Sequence, residues 1–257
     1  MQTCIVIPAR MASTRLPQKP LQDIGGVPMV VRVVQQMQGV GADAVVVAVD
    51  HQSVFEVVEQ AGFDVMMTST DHASGSDRVM EVAQRLRLAA HDVVINVQGD
   101  EPLMPVDVVQ NLQQLMKQHQ KIDLASVSEP VTEVADYLNP NVVKVVTDRA
   151  GRALYFSRAP IPFVRDKAPE QLNPADLQEL NVRRHVGVYA FRVGALSQFV
   201  ELGSREPDSL ESIEMLEQLR WLQAGHSIQM LASEQLIPGG VDTQEDLERV
   251  RGHFTPQ

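Results

Sequence analysis

Three cations, Arg10, Arg15 and Lys19, follow the first apolar segment of the chain within ten positions. The β-branched run before them predicts a strand, and Pro8, which cannot donate to a β-ladder, marks its end. In open α/β sheets, ligands bind outside the carboxyl ends of the strands. The chain as a whole is acidic, with 22 Lys and Arg against 33 Asp and Glu. We therefore expect this loop to hold a local anion, most simply a polyphosphate, rather than to present three solvated surface charges.

Two further loops carry groups that could complete such a site. Residues 71–78 (Asp-His-Ala-Ser-Gly-Ser-Asp-Arg) lie between a predicted strand and a predicted helix, and offer hydroxyl and backbone donors. Alternatively, Ser76 or Asp77 only caps that helix. Residues 96–103 (Asn-Val-Gln-Gly-Asp-Glu-Pro-Leu) end a buried strand in a glycine and two carboxylates. Asp100 could hold Mg²⁺, which prefers one or two carboxylates with phosphate oxygens and water, although a simple strand-to-helix turn would also place it there.

A fourth motif, residues 238–247, contains Asp242 after a Pro-Gly-Gly turn. By itself it predicts a helix start, with Asp242 as N-cap and Glu245 completing a capping-box-like arrangement. A functional interpretation requires Asp242 to lie near Asp100. The chain has neither the Gly-x-x-x-x-Gly-Lys-Ser/Thr loop nor the Gly-x-Gly-x-x-Gly fingerprint, so a dinucleotide-binding interpretation loses its main support.

Composition narrows the class of protein. Of the 257 residues, 44% are hydrophobic and 21% charged, which are ordinary globular values. The one cysteine, Cys4, excludes an internal disulfide and a multi-cysteine metal cluster. No apolar run approaches the ~18 residues that would span a membrane, and the acidic balance argues against nucleic-acid binding. We expect a soluble cytoplasmic protein with no membrane or nucleic-acid partner.

Strands and helices must alternate to position these loops. Apolar runs and helical spacing predict strands at 4–7, 44–49, 65–67 and 93–97, and helices at 29–37, 54–60, 77–88 and 106–119. That alternation is typical of a doubly wound parallel sheet with right-handed crossovers.

The pattern changes after about residue 120. Strands are predicted at 124–128, 142–147, 153–157 and 185–191, with a hairpin turn at 148–151, and they indicate an antiparallel or mixed extension of the sheet. We further predict a surface loop at 164–182 and helices at 210–223 and 242–251.

Together the motifs resemble the cytidylyltransferases that activate 3-deoxy-D-manno-octulosonic acid (Kdo), the CMP-Kdo synthetase family. The matching stretches run in order over nearly the whole chain: 7–10, 13–17, 19–21, 72 with 74–75 and 77–78, 96–103, 155–158 with 160, 185–189, 216–220 and 240–243. The sequence departs from the family pattern at Gln18, where glycine is usual, and at 68–70, which lack an arginine. The Gln-Gly-Asp-Glu-Pro form at 98–102 favours Kdo over an amino-sugar analogue.

The resemblance implies that CTP and Kdo give CMP-Kdo and diphosphate with Mg²⁺, for lipopolysaccharide biosynthesis. It implies an α/β fold class: a doubly wound, Rossmann-like nucleotidyltransferase sheet with a smaller mixed or antiparallel dimerisation extension. In this interpretation the chain is a single nucleotidyltransferase domain. Residues 1–122 and 196–257 form the nucleotide-binding core, about 123–195 form the extension for sugar binding and dimerisation, and the protein is a homodimer.

The resemblance also assigns roles. The catalytic residues would be Arg10, Lys19, Asp100 and Asp242, with Asp100 and Asp242 as Mg²⁺ ligands. The substrate-binding residues would be Arg15, His72, Ser74, Gly75, Arg78, Gln98, Gly99, Arg158, His185, Tyr189, Glu211, Glu214 and Gln218. Arg158 is our candidate for the Kdo carboxylate. Glu211, Glu214 and Gln218 fall at i, i+3 and i+7 of the helix predicted at 210–223. They would share one face, which either meets sugar hydroxyls or is simply solvated.

Two rival functions remain open at this point. The nearest is a nucleotidylyltransferase for another acidic sugar, such as a CMP-sialate synthetase, or for a sugar phosphate. The other is a non-catalytic nucleotide-sensing protein on the same fold, against which the presence of both Asp100 and Asp242 argues.

Overall fold

The computed structural model describes residues 1–203 and 209–254. Over that part of the chain, two compact units can be separated. Unit 1 takes in Met1–Gln114, Val188–Leu196 and Ile237–Gln257, and unit 2 takes in Leu115–Gly187 and Ser197–Leu236.

The strands are β1 (Thr3–Ala9), β2 (Ala44–Val49), β3 (Val65–Met67), β4 (Val93–Asn96), β5 (Leu124–Pro130), β6 (Lys144–Thr147), β7 (Ala153–Ser157), β8 (Arg183–Arg192) and β9 (Gln229–Ala232). The helices are α1 (Met29–Gln38), α2 (Gln52–Gln60), α3 (Gly75–Arg85), α4 (Val106–Gln118), α5 (Val134–Leu138), α6 (Pro174–Glu179), α7 (Val193–Gly203), α8 (Leu210–Glu214), α9 (Leu219–Gln223) and α10 (Gln244–Arg251). Short 3₁₀ turns cover Lys19–Leu21 and Pro169–Gln171.

Unit 1 is built on parallel strands in the order β3-β2-β1-β4. The carboxyl half of β8 pairs antiparallel with β4. In β1, Ile5 lies between Val45 and Ile95, and all of these side chains are buried, as expected of strands covered on both faces. The strand order reverses between β1 and β4, and at such a switch point the loops leaving the carboxyl ends form a crevice.

A hydrophobic cluster anchors the cationic loop of unit 1. Leu16, within that loop, packs with Ile24 and Met29 against Val241 and Leu247. Leu16 is buried although its neighbours in the loop are largely exposed. The cluster therefore fixes the loop against the chain around Asp242 and α10.

Unit 2 contains strands in the order β8-β5-β9, with β5 and β9 parallel. The amino half of β8 also pairs with β6, and β6 pairs antiparallel with β7. The predicted hairpin turn is confirmed: Asp148 N–H donates to Arg152 O, and Gly151 takes a positive φ of 76°. The α/β fold class and the strand-rich extension predicted from the sequence are thus confirmed.

The predicted helix at 210–223 is wrong. The chain forms two short helices, α8 and α9, separated by Met215 in a left-handed conformation with φ 54°. In a single helix over 210–223, Leu210, Ile213 and Leu216 would form an apolar stripe, but Ile213 is 73% exposed. The three residues Glu211, Glu214 and Gln218 therefore do not share one helix face, because Gln218 precedes α9 as its N-cap.

Other local predictions also need correction. The predicted loop at 164–182 contains α6, which Asn173 caps. Helix α10 is capped by Thr243 and not by Asp242, and its capping box is completed by Asp246 and not by Glu245. Helix α3 is capped by Ser74 rather than Ser76 or Asp77. Elements α5, α7 and β9 were not predicted.

Cys4 lies in β1 and is buried. Burial, with a smaller contribution from Asp43, raises the pKa of the Cys4 thiol to about 12, so it is not poised as a nucleophile. Over the described ranges, the structure contains no helix long and apolar enough to cross a membrane.

Candidate functional site

A pocket of about 360 Å³ opens in unit 1 where the loops leave β1 and β4. It lies where the reversal in strand order predicts a crevice. Its walls come from four segments that the sequence analysis singled out: residues 8–20, 72–78, 98–100 and Asp242. The predicted site residues that line it are Arg10, Arg15, Lys19, His72, Ser74, Gly75, Arg78, Gln98, Gly99, Asp100 and Asp242.

Lys19 joins the two predicted metal ligands. Its ammonium group donates to Asp100 Oδ2 and, over 2.8 Å, to Asp242 Oδ1. The Lys19 side chain is 14% exposed, against 49% for Asp242. Burial alone would lower the pKa of Lys19, but the carboxylates of Asp100 and Asp242 outweigh it and raise that pKa above its usual value. Residues from three distant parts of the chain therefore form one charged cluster, as the functional interpretation of Asp242 required.

Backbone contacts hold the two carboxylate loops together. Val241 N–H donates to Asp100 O over 2.9 Å. A Cβ atom at Gly99 would lie 2.8 Å from Pro8 O, and one at Gly240 would lie 3.0 Å from Asp100 O. Glycine permits such close backbone approaches, and at these two positions the ends of β1 and β4 and the chain around Asp242 come together.

Arg15 extends the cluster to the pocket rim. Its guanidinium lies 3.1 Å from Asp242 Oδ2, and its side chain is 63% exposed. An ion pair so open to water contributes little to stability. Arg15 is therefore available to an incoming anion.

The backbone conformation of Gln18 bears on its departure from the family pattern. It precedes the Lys19–Leu21 turn in the left-handed region, with φ 52° and ψ 36°. L-residues are disfavoured there and glycine is not. The left-handed conformation accounts for the glycine that is usual at this position. This chain adopts the same conformation with an exposed glutamine.

Replacing Gln18 by glycine should therefore raise the free energy of unfolding by about 1 kcal/mol. Chemical denaturation of both proteins measures the difference. Valine at the same position should be destabilising, because its β-branched side chain tolerates positive φ poorly. A glycine variant less stable than the parent would contradict the conformational explanation.

The second loop is ordered around the start of α3. Ser74 Oγ accepts from Asp77 N–H, and the Asp77 carboxylate accepts from Ser74 N–H over 2.8 Å. Capping and pocket lining are thus combined in Ser74. Gly75 lies against Pro8, which brings this loop beside the end of β1.

His72 is hydrogen-bonded to Glu81, a residue that the sequence motifs did not identify. His72 Nε2 is hydrogen-bonded to Glu81 Oε2, and Arg85 pairs with the other carboxylate oxygen. Burial acts in the opposite direction, but hydrogen bonds from Ser69 N–H and His72 keep the pKa of Glu81 below its ordinary value. The sequence signal was only the helical spacing of Glu81 and Arg85, which is common on solvated helices.

Arg78 is a buried cation at the pocket wall, 4% exposed. It donates to Thr68 Oγ1 and pairs with Asp50 Oδ2 over 3.0 Å. Asp50 was also missed, since nothing in the local sequence distinguishes it from a helix-flanking aspartate.

In unit 2, Arg158 is tied to the backbone. Its guanidinium donates to the carbonyls of Glu214 (2.6 Å), Pro140 (2.9 Å) and Met215 (3.3 Å). The Glu214 carboxylate accepts from Ser157 Oγ over 2.7 Å and from Arg158 N–H over 3.0 Å. Arg158 and Glu214, both predicted to bind the sugar, are therefore direct neighbours.

Lys144, which the sequence motifs did not identify, holds the backbone at Arg158. Its side chain is fully buried and donates to the carbonyls of Asn139 (2.9 Å) and Arg158 (2.8 Å). Burial, followed by repulsion from Arg158, lowers the pKa of Lys144 to about 8. This ammonium fixes the backbone from which Arg158 projects.

The other predicted sugar residues of unit 2 are hydrogen-bonded within that unit. Glu211 accepts from Arg220 Nε over 2.6 Å. His185 lies 2.8 Å from Ser126 Oγ through Nε2, and 3.5 Å from Gln218 Nε2 through Nδ1. Tyr189 lies in unit 1, where it is 4% exposed and its ring is tilted against Phe191.

Burial, with a smaller contribution from Arg184, lowers the pKa of His185 to about 3. The unfolded chain binds a proton at His185 below about pH 6.5, whereas the folded protein does not until about pH 3. His185 therefore destabilises the fold increasingly as pH falls through this window, by up to about 1.4 kcal/mol per pH unit.

The variant His185→Gln should remove that contribution. Its free energy of unfolding, measured by urea denaturation at pH 7, 6 and 5, should fall less steeply with acid than that of the parent. Equal slopes for the two proteins would show that His185 is protonated in the folded state.

A metal would have to be held by a pair of carboxylates. Within residues 1–203 and 209–254, no group of three or more His, Cys, Asp or Glu side chains is placed to hold a metal ion. Asp100 and Asp242 are already bonded to one cation, the Lys19 ammonium. Two carboxylates completed by phosphate oxygens and water form a donor set that suits Mg²⁺.

Comparison with known proteins gives consistent matches. A family model described as "Cytidylyltransferase" matches residues 4–228. The 3-deoxy-manno-octulosonate cytidylyltransferase of Saccharophagus degradans is 47% identical over 252 residues, with 98% of each chain covered. That of Polynucleobacter necessarius is 47% identical over 247 residues, covering 96% of this chain and 93% of the relative. A solved CMP:2-keto-3-deoxy-manno-octonic acid synthetase complexed with CTP is 38% identical, with a TM-score of 0.86 and 98% of each chain covered.

Proposed function

The chain belongs to the 3-deoxy-manno-octulosonate cytidylyltransferase family, and we propose that the pocket of unit 1 binds the triphosphate of CTP. The enzyme activates Kdo with CTP, giving CMP-Kdo and diphosphate for lipopolysaccharide biosynthesis. The observation that carries the assignment of the pocket is the Lys19 ammonium bound to the carboxylates of Asp100 and Asp242, in a cavity that Arg10 and Arg15 also line.

The chemistry requires charge neutralisation and alignment. The anomeric hydroxyl of Kdo attacks the α-phosphorus of CTP and loses its proton to solvent. The bond from the α-phosphorus to the oxygen that bridges to the β-phosphate breaks, and diphosphate leaves with that electron pair. Kdo carries a carboxylate and CTP several phosphate charges, so the two substrates repel each other. Arg10, Arg15 and Lys19 screen the phosphate oxygens and stabilise the charge that develops on the leaving group. Because the Kdo hydroxyl is the attacking group, the reaction requires no covalent nucleophile from a protein side chain.

Asp100 and Asp242 are the proposed Mg²⁺ ligands. They fit the ion because they are two carboxylates that already share a cation and face a pocket sized for phosphates. When bound, Mg²⁺ would polarise the α-phosphate and lower the pKa of the attacking hydroxyl. The carboxylates of Asp100 and Asp242 balance the positive charge of the Lys19 ammonium, which is bonded to both.

For the sugar, we propose Arg158 as the partner of the Kdo carboxylate, with His185, Glu211, Glu214 and Gln218 as further contacts in unit 2. The Arg158 guanidinium is held by three carbonyls, and Lys144 donates to the Arg158 backbone carbonyl. A preorganised guanidinium loses little freedom when a carboxylate binds. His185 would act as a neutral hydrogen-bonding group, as its low pKa indicates. Tyr189, which lies in unit 1, remains a predicted substrate contact.

We further propose a cytoplasmic homodimer formed through the extension at 123–195. Its support is the exposure of two large apolar side chains there, Leu154 at 62% and Phe163 at 70%. Leu154 is carried by strand β7, which pairs with β6 and whose first residue, Ala153, also donates to Ile228 O. Light scattering of the parent and of a Leu154→Lys, Phe163→Lys double variant distinguishes a dimer of about 57 kDa from a monomer of 28.4 kDa.

The function is tested by a coupled diphosphate-release assay that crosses CTP, UTP, ATP and GTP with Kdo. We expect release only with CTP and Kdo together. Release with sialic acid or a sugar phosphate in place of Kdo would favour the neighbouring nucleotidylyltransferases. Binding of CTP without diphosphate release under any combination would favour the nucleotide-sensing alternative.

A further inference from the structure

Asp50, at the end of β2, uses its two carboxylate oxygens for two different parts of the pocket. Oδ1 accepts from the backbone N–H of Met11 over 2.9 Å. Oδ2 accepts from Arg78 Nη2 over 3.0 Å. The Asp50 side chain is 13% exposed, and it is not among the residues that line the cavity.

One partner lines the pocket and the other adjoins lining residues. Arg78 lines the cavity directly, and Met11 follows Arg10 in the cationic loop, between two lining residues. The N–H of Met11 has a charged acceptor, and hydrogen bonds to charged groups are the stronger ones. The bond fixes the first turn of the loop relative to the buried guanidinium.

Arg78 needs this partner. A buried guanidinium is costly unless it is paired, and Arg78 is only 4% exposed. Its second contact, Thr68 Oγ1, is neutral and itself donates to Val49 O over 2.8 Å. Asp50 therefore supplies the charge that keeps Arg78 in place, and the hydrogen bond to Thr68 orients the guanidinium.

We propose that Asp50 is a positioning residue, which holds the cationic loop and Arg78 in the mutual arrangement that binds the triphosphate of CTP. The proposal rests on the proposed function of the pocket. Asp50 acts without touching the substrate, and it couples two walls of the cavity that are otherwise 67 residues apart along the chain, from Met11 to Arg78.

Three variants separate its two contacts. Asp50→Ala removes both. Asp50→Asn is nearly isosteric and keeps an oxygen acceptor for Met11 N–H, but removes the charge opposite Arg78. Thr68→Val leaves Asp50 intact and removes the neutral contact of Arg78, together with the hydrogen bond from Thr68 Oγ1 to Val49 O, so it is the control for loss of an Arg78 hydrogen bond without loss of charge.

The measurements are the dissociation constant for CTP by calorimetry, the KM for Kdo at saturating CTP, and hydrogen exchange of the Met11 amide by NMR. We expect CTP to bind about tenfold or more weakly to Asp50→Ala, with a smaller loss in Asp50→Asn and the smallest in Thr68→Val. The KM for Kdo should stay within about twofold. Exchange at Met11 should accelerate in Asp50→Ala and stay slow in Thr68→Val.

A merely structural Asp50 gives a different result. Lower thermal stability with parental CTP affinity in both Asp50 variants would overturn the proposal, as would unchanged exchange at Met11 in Asp50→Ala. If Asp50→Ala fails to fold, Asp50→Asn decides, since parental CTP affinity in that variant shows that the Asp50 charge opposite Arg78 does not matter for binding. A parent protein that does not bind CTP would overturn the proposed function itself, and this outcome is read before any variant is compared.

Discussion

Replacing Asp100 by asparagine is expected to lower kcat by about a thousandfold or more, and Asp242→Asn should do the same. Each change replaces a carboxylate with a neutral amide of the same shape. If both side chains hold Mg²⁺, loss of either charge removes several kcal/mol of transition-state stabilisation. The measurement is steady-state diphosphate release with CTP and Kdo saturating and Mg²⁺ varied over a wide range.

The fold should survive both substitutions. The Asp100 side chain is 30% exposed and that of Asp242 49%, and the hydrogen bond between their loops, Val241 N–H to Asp100 O, involves only backbone atoms. Asp148→Asn, in the hairpin turn of unit 2, is the control for the same chemical change outside the pocket and should retain full kcat. Near-normal rates of Asp100→Asn and Asp242→Asn at saturating Mg²⁺ would remove these residues from the metal site.

The strands were the most predictable part of this chain, for a physical reason. The limits predicted for β2, β3 and β7 match those of the structure. In β2, a parallel strand covered on both faces, the apolar side chains are continuous, and β-branched valine satisfies both burial and strand preference. The loops after β1 and β4 could then be placed at one edge of the sheet, which is why eleven of the predicted site residues line one pocket.

Local patterns failed where tertiary contacts decide. Helical spacing continues through 210–223, but Met215 breaks the helix in a left-handed conformation, and its carbonyl accepts from Arg158, a residue 57 positions away in sequence. At α10 the sequence offers two overlapping capping boxes, and Thr243 with Asp246 forms in preference to Asp242 with Glu245. The alternative cap, Asp242, is instead engaged by Lys19.

Residues that act through others leave no signal in the sequence. Asp50 becomes identifiable only when Met11 and Arg78 are seen on its two oxygens, and these lie 39 and 28 positions away. The hydrogen bond between Glu81 and His72 likewise joins residues that no local motif connects. Single polar residues beside a strand or on a helix are common, so their roles depend on distances that no motif encodes.

Replacing Lys19 by methionine should lower kcat/KM for CTP by about 30- to 1,000-fold, which corresponds to a loss of ~2–4 kcal/mol of transition-state stabilisation, as for one preorganised donor. Methionine keeps most of the apolar stem and removes the ammonium. The control is Lys167→Met, which breaks another lysine–aspartate pair, with Asp176, outside the pocket. That variant should behave like the parent.

The way in which the loss divides between kcat and KM identifies what Lys19 does. A donor that binds the triphosphate equally well before and during reaction would raise KM for CTP and leave kcat unchanged. A donor that engages the charge developing on diphosphate would lower kcat. We expect mainly the second, because in the free protein the ammonium is bound to Asp100 and Asp242, and leaving them offsets part of what it gains from the bound substrate. An unchanged kcat/KM for CTP would mean that Lys19 only balances the two carboxylates and has no part in catalysis.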